Sequence, residues 1–392
     1  MTRRAPASPG GLTVVVVGGH SAGHIEPAMA VADAIRRLDP SVSITAVGTR
    51  RGLDTTLIPA RGYPLELIPP VPLPRKLNRA LLATPARLLA AVRAAGAVLD
   101  RVGADAVVGF GGYVAIPVYL AAARRRVPIV EHEANAHPGV SNRLGARLTR
   151  HVFTASAAVR LPHAQVVGIP LRPEISGLDR AGLRAEARAR FGLAPAAPTL
   201  LVTGGSQGAA RINQAALDAA PALRAAGVQV LHIVGPNNVP AEPPRSDPAA
   251  PYVIVPYVDQ MRYAYAAADF ALCRSGAMTC AELTAVGLPA AFVPLPLRGG
   301  EQRTNAEPIV AAGGGLLVDN DALRAQWIER NVIPVLTDPD CGARMAAAAA
   351  RTGARDADTV LARAVLRVAG AHANAPGGRR AGTPRAGEDR RG

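Results

Sequence analysis

Residues 200 to 220, LLVTGGSQGAARINQAALDAA, decide how the chain is read. Leu200, Leu201 and Val202 form an apolar run of strand character. Gly204, Gly205 and Gly208 supply a tight turn, and residues 209–220 carry helical periodicity. A strand, a glycine turn and a helix start in succession let the backbone approach a ligand closely, and free N–H groups with the helix dipole favour an anion there. Phosphate is the obvious candidate. Any α/β protein also needs glycines where a strand turns into a helix, so one such turn decides nothing alone. Repetition does: GGHSAGH at 18–24 follows a strand-like run at 13–17, and GFGGY at 109–113 follows another at 106–108.

Outward from this turn, short apolar runs alternate with helical stretches. Seven runs (13–17, 42–47, 65–68, 106–108, 127–130, 151–153 and 165–167) precede the proline-bearing segment GIPLRP at 168–173, which reads as a linker. Five more (199–203, 229–234, 252–255, 270–272 and 289–293) follow it. The pattern predicts an α/β protein of two doubly wound, Rossmann-like domains facing a cleft, with ligands beyond the carboxyl ends of parallel strands. A charged amphipathic helix is expected at 180–190, a surface loop at 237–251, and one or two closing helices in the Ala-rich 342–368. The boundaries are a flexible tail at 1–12, a first domain at 13–170, a second at 171–345, closing helix at 346–370 and a disordered tail at 371–392.

The length of 392 residues exceeds one ordinary core, and a hydrophobic content of 49% suffices for two. Cys273, Cys280 and Cys341 have no metal-ligand spacing and no CxxC, which suits a reduced setting, with Cys280 a small buried hydrophobe. No apolar run reaches the ~18 residues that span a bilayer, and MTRRAPASPGG lacks the apolar core of a signal peptide, so a soluble protein is expected. The net charge of +15 comes from 44 basic residues, nearly all Arg, against 29 acidic ones. Part of it lies in the tails, at Arg3, Arg4 and 377–392. Such a balance suits nucleic acid, an anionic membrane surface or a phosphorylated ligand. With aromatics at 3% there are few platforms for stacking bases, and no nucleic-acid-binding signature is present, so nucleic acid is not expected as a partner.

Between 67 and 99 there is no acidic residue, while Arg75, Lys76, Arg79, Arg87 and Arg93 alternate with Leu77, Leu81, Leu82, Leu88, Leu89 and Val92. The spacing is roughly helical, interrupted by Pro85. Such a helix packs on its own core or lies against an anionic membrane; the lack of acids and the prolines at 69, 70, 72 and 74 favour the membrane.

Three constellations carry chemistry. His24 closes the first glycine turn, where a helix is expected to begin near Glu26-Pro27; it can bind phosphate, act as a base or cap the helix. The run CRSGAMTCAE at 273–282 repeats the strand, turn and helix geometry at Ser275 and Gly276. Glu282 lies two turns further on, among Ala281, Leu283, Ala285 and Val286, and a carboxylate so placed can take both hydroxyls of a ribose. Gln302 and Asn305, in GGEQRTNA, share one helix face and offer amides suited to sugar hydroxyls. The chain has no GK[ST] after a glycine turn, no strict GxGxxG with a following acid, no GxSxG and no HExxH. Kinase-type, hydride-transfer and common hydrolase chemistry are set aside on that spacing.

Together GHSAGHIEPAMAVADAI, GFGGYVAIPVYLAA, EHEANAHPGVSN, GIPLRPEI, TGGSQGAARIN, LCRSGAMTCAELTAVGLPAAFVP and EQRTNA resemble the MurG-type N-acetylglucosaminyltransferases, over about residues 13 to 365. The resemblance implies a GT-B fold and an inverting hexosyltransferase without metal or other cofactor. It would move GlcNAc from UDP-GlcNAc to lipid I, undecaprenyl-pyrophosphoryl-MurNAc-pentapeptide, giving lipid II of peptidoglycan. It implies donor contacts from Arg172, Ser206, Gln207, the backbone of Val258, the turn Ser275, Gly276, Ala277, Met278 and Thr279, then Glu282, Gln302 and Asn305. Acceptor contacts fall on Ser21, Gly23, His24, Tyr113 and Asn135, with His24 as base or pyrophosphate anchor. Membrane docking falls on Arg75, Lys76, Leu77, Arg79, Leu81 and Leu82, which places the protein peripherally on the cytoplasmic face of the cell membrane, with cell-wall or division proteins as further partners. The last helix of the family returns to the first domain. Two departures fall on the acceptor side: His20 and Ser21 replace the usual Gly and Thr, and Ala134 the usual Gln. Other expectations compatible with the residues are another GT-B enzyme, such as a UDP-GlcNAc 2-epimerase, and a non-catalytic UDP-sugar-binding module.

Overall fold

A computed structural model of the chain describes residues 11–19, 21–71, 84–205, 208–242, 244–245, 247–296 and 299–375. The first sheet contains β1 (Thr13–Val17), β2 (Ser43–Gly48), β3 (Leu65–Leu67), β4 (Ala106–Gly109), β5 (Ile129–Glu133), β6 (His151–Thr154) and β7 (Ala164–Val166). Its order is β3-β2-β1-β4-β5-β6-β7. The second contains β8 (Thr199–Thr203), β9 (Gln229–Ile233), β10 (Tyr252–Val255), β11 (Phe270–Cys273), β12 (Ala290–Phe292) and β13 (Gly315–Leu317), in the order β10-β9-β8-β11-β12-β13. Pairings such as β1 with β4 and β8 with β11 are parallel. Each sheet therefore reverses its winding beside its first strand, the doubly wound arrangement whose reversal point is a ligand-binding crevice.

Around the first sheet lie α1 (Ala22–Leu38), α2 (Asp54–Ala60), α3 (Thr84–Val102), α4 (Ala115–Arg125) and α5 (Val140–Leu148). The later helices are α6 (Pro173–Ser176), α7 (Arg180–Arg190), α8 (Ala210–Asp218), α9 (Ala220–Ala225), α10 (Met261–Ala267), α11 (Ala277–Ala285), α12 (Glu301–Ala311), α13 (Ala325–Asn331), α14 (Ile333–Thr337), α15 (Pro339–Thr352) and α16 (Ala357–Ala373). The chain divides into two compact units. One comprises residues up to His132, Val140–Val152 and those from Leu361 on; the other comprises Glu133–Gly139 and Phe153–Val360. Among the described residues no helix is long and apolar enough to cross a membrane.

The apolar runs are continuous because both faces of each sheet are covered, while successive side chains point to opposite faces. In the second sheet Leu201, Leu231, Ala271 and Cys273 join one core with Tyr265, Cys280 and Leu283. Leu200, Val202, Val230, Phe270 and Leu272 join the other, with Ile212 and Leu223. Each such Leu or Val contributes roughly 1.5–3 kcal/mol relative to exposure. In the first unit Val15, Val17 and Val107 pack against Val92 and Leu99 of α3 and Val118 of α4.

Several local expectations are corrected. α1 begins at Ala22 rather than near Pro27, which lies inside it. Ser21 has the extended conformation of an N-cap, and the buried packing of Ile25, Pro27 and Ala28 outweighs the hydrogen bond that proline cannot make. Pro85 lies in the first turn of α3 as described, the stretch 72–83 before it being outside the described residues, and from Ala91 onward α3 buries its apolar face in its own core. The helix after the central turn stops at Asp218, and Pro221 sits in the first turn of a new one. β5 runs on through Glu131, His132 and Glu133, all buried, and β13 had no forerunner in the apolar pattern. α16 continues to Ala373, past the expected end of folded chain at 370.

Candidate active site

Within the second unit the site is built on the ends of β8 and β11. Thr203 and Cys273 are register partners, so the turns that follow them, at Gly204 to Gly208 and at Arg274 to Gly276, leave neighbouring strands side by side. Gly208 is at φ +76°, and a Cβ there would lie 2.1 Å from the Val234 carbonyl oxygen, so only glycine fits this turn. Ser206 and Gln207, expected to touch the donor, lie outside the described residues.

At the second turn Gly276 is the N-cap of α11, and no side chain caps it. The first N–H groups of a helix have no intrahelical partner, and the dipole adds positive potential there. Ser275 is fully buried, and its Oγ finds no partner among the described residues. A buried hydroxyl in that state costs about 1–3 kcal/mol, which an anionic acceptor would recover. Arg274 secures the turn by donating from Nη1 to the carbonyl oxygens of Val293 (3.0 Å) and Pro294 (3.4 Å). Ala277, Met278 and Thr279 form the opening turn of α11.

Glu282 follows on α11 with its side chain 13% exposed. The Tyr265 hydroxyl donates to its Oε2 at 2.6 Å, while Arg172 Nη2 lies 3.9 Å from Oε1. Arg172 also pairs with Glu174, at 3.5 Å. Burial, reinforced by the Glu282 charge and hydrogen bond, pushes the Tyr265 hydroxyl well above its ordinary pKa, so it remains a donor. Val258, between β10 and α10, is half-buried against the same core.

Gln302 and Asn305 both lie near the start of α12. Gln302 Oε1 accepts from the Leu295 N–H (2.9 Å), and Asn305 Nδ2 donates to the Ser275 carbonyl (3.2 Å). The amide of Asn305 is thereby tied to the turn that opens α11.

In the first unit β1 and β4 pair so that Val17 meets Gly109, and the two glycine turns again emerge together. Gly111 and Gly112 are at φ +91° and +79°; a Cβ on Gly112 would lie 2.9 Å from the Gly19 carbonyl oxygen, and one on Gly111 3.4 Å from the His24 ring. Ser21 Oγ and His24 Nδ1 are 3.0 Å apart. Gly23 is exposed on the same helix start, and Tyr113 is 48% exposed. Asn135 belongs to the segment Glu133–Gly139, counted with the second unit, where buried Glu133 accepts from the N–H groups of Asn135 (2.8 Å) and Gly139 (3.0 Å). His20 and the docking residues Arg75, Lys76, Leu77, Arg79, Leu81 and Leu82 lie outside the described residues.

Three residues had no place in the sequence reading. Tyr265, in YAYAAAD, and Glu133, inside the motif EHEANAHPGVSN, were given no role of their own. Arg180 opens the expected amphipathic helix, and its guanidinium donates to the carbonyls of Tyr265 (3.1 Å), Ala268 (2.5 Å), Val286 (3.5 Å) and Gly287 (2.8 Å). Arg180, Arg184 and Arg188 recur at four-residue intervals, and that stripe was the available signal.

Two Rossmann-like units, with an uncapped helix start, a held carboxylate and an amide pair gathered at one reversal point, define a GT-B glycosyltransferase, a hexosyltransferase by its family domains. The glycosyltransferase family 28 N-terminal domain matches residues 14–154, and the family 28 C-terminal domain matches 199–361. The chain belongs to glycosyltransferase family 28, among its MurG-type members. It is 58% identical, over 91% of its length and 94% of the relative's, to the UDP-N-acetylglucosamine--N-acetylmuramyl-(pentapeptide) pyrophosphoryl-undecaprenol N-acetylglucosamine transferase of Thermobifida fusca. The Mycolicibacterium smegmatis enzyme of the same name is 57% identical over 92% of this chain and 94% of its own. Among solved structures, MurG of Acinetobacter baumannii superposes with a TM-score of 0.74 at 25% identity, covering 91% of this chain and 99% of that one. A UDP-GlcNAc 2-epimerase from Neisseria meningitidis has a TM-score of 0.64 at 15% identity, covering 91% of this chain and 100% of its own, a likeness of fold alone. The epimerase alternative is accordingly not favoured.

Proposed function

We propose that the protein transfers GlcNAc from UDP-GlcNAc to the C4 hydroxyl of MurNAc in lipid I, forming the β-1,4 linkage of lipid II. The observation that carries this reading is the constellation on α11: a buried Ser275 hydroxyl at the helix start, with no partner or side-chain cap among the described residues, and Glu282 held two turns on. The diphosphate sits at the helix start, the ribose on Glu282, the uracil against the Val258 backbone and the sugar hydroxyls on Gln302 and Asn305. Arg172 lies beside the nucleotide, and Ser206 and Gln207 complete the phosphate contacts.

In the reaction the C4 oxygen bonds to C1 of GlcNAc as the bond from C1 to the UDP oxygen breaks, and configuration inverts. Negative charge grows on the departing UDP, where oriented N–H groups stabilise it most. This stabilisation needs no metal or other cofactor. His24 is the proposed base, at the start of α1 with its Nδ1 3.0 Å from Ser21 Oγ. Ser21, Gly23, Tyr113 and Asn135 hold the acceptor's pyrophosphate and muramyl sugar. The lipid acceptor and the basic, leucine-rich 75–82 support a peripheral place on the anionic cytoplasmic membrane surface, beside cell-wall or division proteins.

The test is a radiolabel or mass assay with UDP-GlcNAc and a short-chain lipid I analogue. A β-1,4-linked disaccharide product is expected; its absence sinks the proposal, and release of an epimerised sugar without acceptor would replace it.

A further inference from the structure

Tyr265 is a hydroxyl placed where a plain ring would pack as well. It is 3% exposed, in a cluster of Ala264, Ala266, Cys273, Cys280 and Leu283, and its hydroxyl donates across to the next helix, where Glu282 Oε2 accepts at 2.6 Å. A buried Tyr hydroxyl normally has a partner. Here the partner is the carboxylate proposed above to bind the ribose.

The geometry around the pair is rigid. α10 carries Tyr265 and packs along α7. From α7, Arg180 donates to Tyr265 and Ala268 at the end of α10, and to Val286 and Gly287 just past α11. One guanidinium thus fastens the helix bearing the hydroxyl to the helix bearing the carboxylate. A glutamate has three rotatable side-chain bonds and, left to itself, divides its time among several positions.

Building on the ribose reading of Glu282, we propose that Tyr265 is a positioning residue for the donor ribose, its hydroxyl holding the Glu282 carboxylate in the one orientation that accepts both ribose hydroxyls. The hydroxyl occupies one lone pair of Oε2. Tyr265 touches no substrate, so its effect falls on binding and on the choice between ribose and deoxyribose, not on the chemical step.

The experiment compares UDP-GlcNAc with its 2′-deoxyuridine and 3′-deoxyuridine analogues as donors to the short-chain lipid I analogue. Wild type, Tyr265→Phe and Glu282→Ala are assayed in full steady-state kinetics. For Tyr265→Phe we expect KM for UDP-GlcNAc to rise about fivefold to tenfold with kcat within about twofold, and discrimination against the deoxy donors to fall by the same factor. Glu282→Ala abolishes that discrimination. If Glu282→Ala loses discrimination while Tyr265→Phe keeps it, the inference is overturned and the ribose reading stands. If Glu282→Ala keeps it, the ribose reading itself falls, and the inference with it. The discrimination ratio compares two donors on the same folded molecules, so a loss of active fraction cancels. Tyr265→Met, flexible enough to fill the ring's space, gives the same ratio should the Phe variant fold poorly.

Discussion

Replacing Ser275 with alanine separates what the α11 turn does for the fold from what it does for a diphosphate. The hydroxyl is fully buried and has no partner among the described residues, so its removal breaks no hydrogen bond to any of them. The free protein should be unchanged or stabilised by up to about 1 kcal/mol, because an unsatisfied polar group has been taken out of the interior. With UDP bound the sign reverses. A hydroxyl hydrogen bond to a charged phosphate oxygen contributes about 1.5–3 kcal/mol, so UDP should bind the variant about 10- to 100-fold more weakly. Linkage turns this into a measurable difference. At a UDP concentration of about 100 times the wild-type Kd, ligand stabilises wild type by about 2.7 kcal/mol but a tenfold weaker variant by only about 1.4 kcal/mol. Urea denaturation with and without UDP, backed by calorimetric titration of UDP, gives both numbers. A variant less stable when free that binds UDP as tightly as wild type would refute the reasoning, since the hydroxyl would then serve the protein and not the ligand.

Three further outcomes follow from the geometry. His24→Ala should lower kcat about 10²- to 10⁴-fold as loss of a general base; a rise in KM for the lipid I analogue at unchanged kcat would make His24 a pyrophosphate anchor instead. Arg180→Lys keeps the charge but loses the fork that reaches four carbonyls, and should destabilise the protein by about 2–4 kcal/mol in urea titrations; a change below about 0.5 kcal/mol would remove its role as a clamp. His232 is buried as a neutral ring between Tyr252 (3.0 Å) and Asn213 (3.2 Å), and burial pulls its pKa down to about 4. The unfolded chain then binds a proton that the native state refuses, so stability is full above about pH 6.5 and falls by about 3 kcal/mol as pH drops to 4. Denaturation of His232→Gln across that window should show a flatter slope than wild type, and equal slopes would contradict the assignment.

Most of the sheet architecture was legible because strands buried on both faces write themselves as continuous apolar runs, as in TVVVV and TLLVT. Where that rule stops applying, the reading stopped too. β5 carries Glu131, His132 and Glu133 in fully buried positions at its carboxyl end, and nothing local distinguishes such a strand from the start of a polar loop. β13 is only Gly-Leu-Leu, held by pairing with β12, and its strand character comes from the neighbour. Pro27 argued for a helix beginning there, yet packing set the start five residues earlier, at Ala22. Of the candidate site, residues near glycine turns were named in advance because turn, helix start and side chain are close in sequence. Tyr265 and Arg180 were not, since their partners lie on other elements and meet them only through the fold.

The two backbone contacts made by Gln302 and Asn305 have a meaning beyond anchoring. An amide side chain can rotate end for end at little cost and so present either a donor or an acceptor. The Leu295 N–H engages the oxygen of Gln302, and the Ser275 carbonyl engages the nitrogen of Asn305. The main chain has thereby chosen which end of each amide is spoken for; among the described residues the Gln302 NH₂ group and the Asn305 oxygen have no hydrogen-bond partner. On the proposed function, a sugar hydroxyl, which both gives and receives, would meet a complementary pair whose polarity was set before it arrived. Recognition there would amount to reading a pattern written by the backbone, and the helix start proposed for the diphosphate is part of the same script.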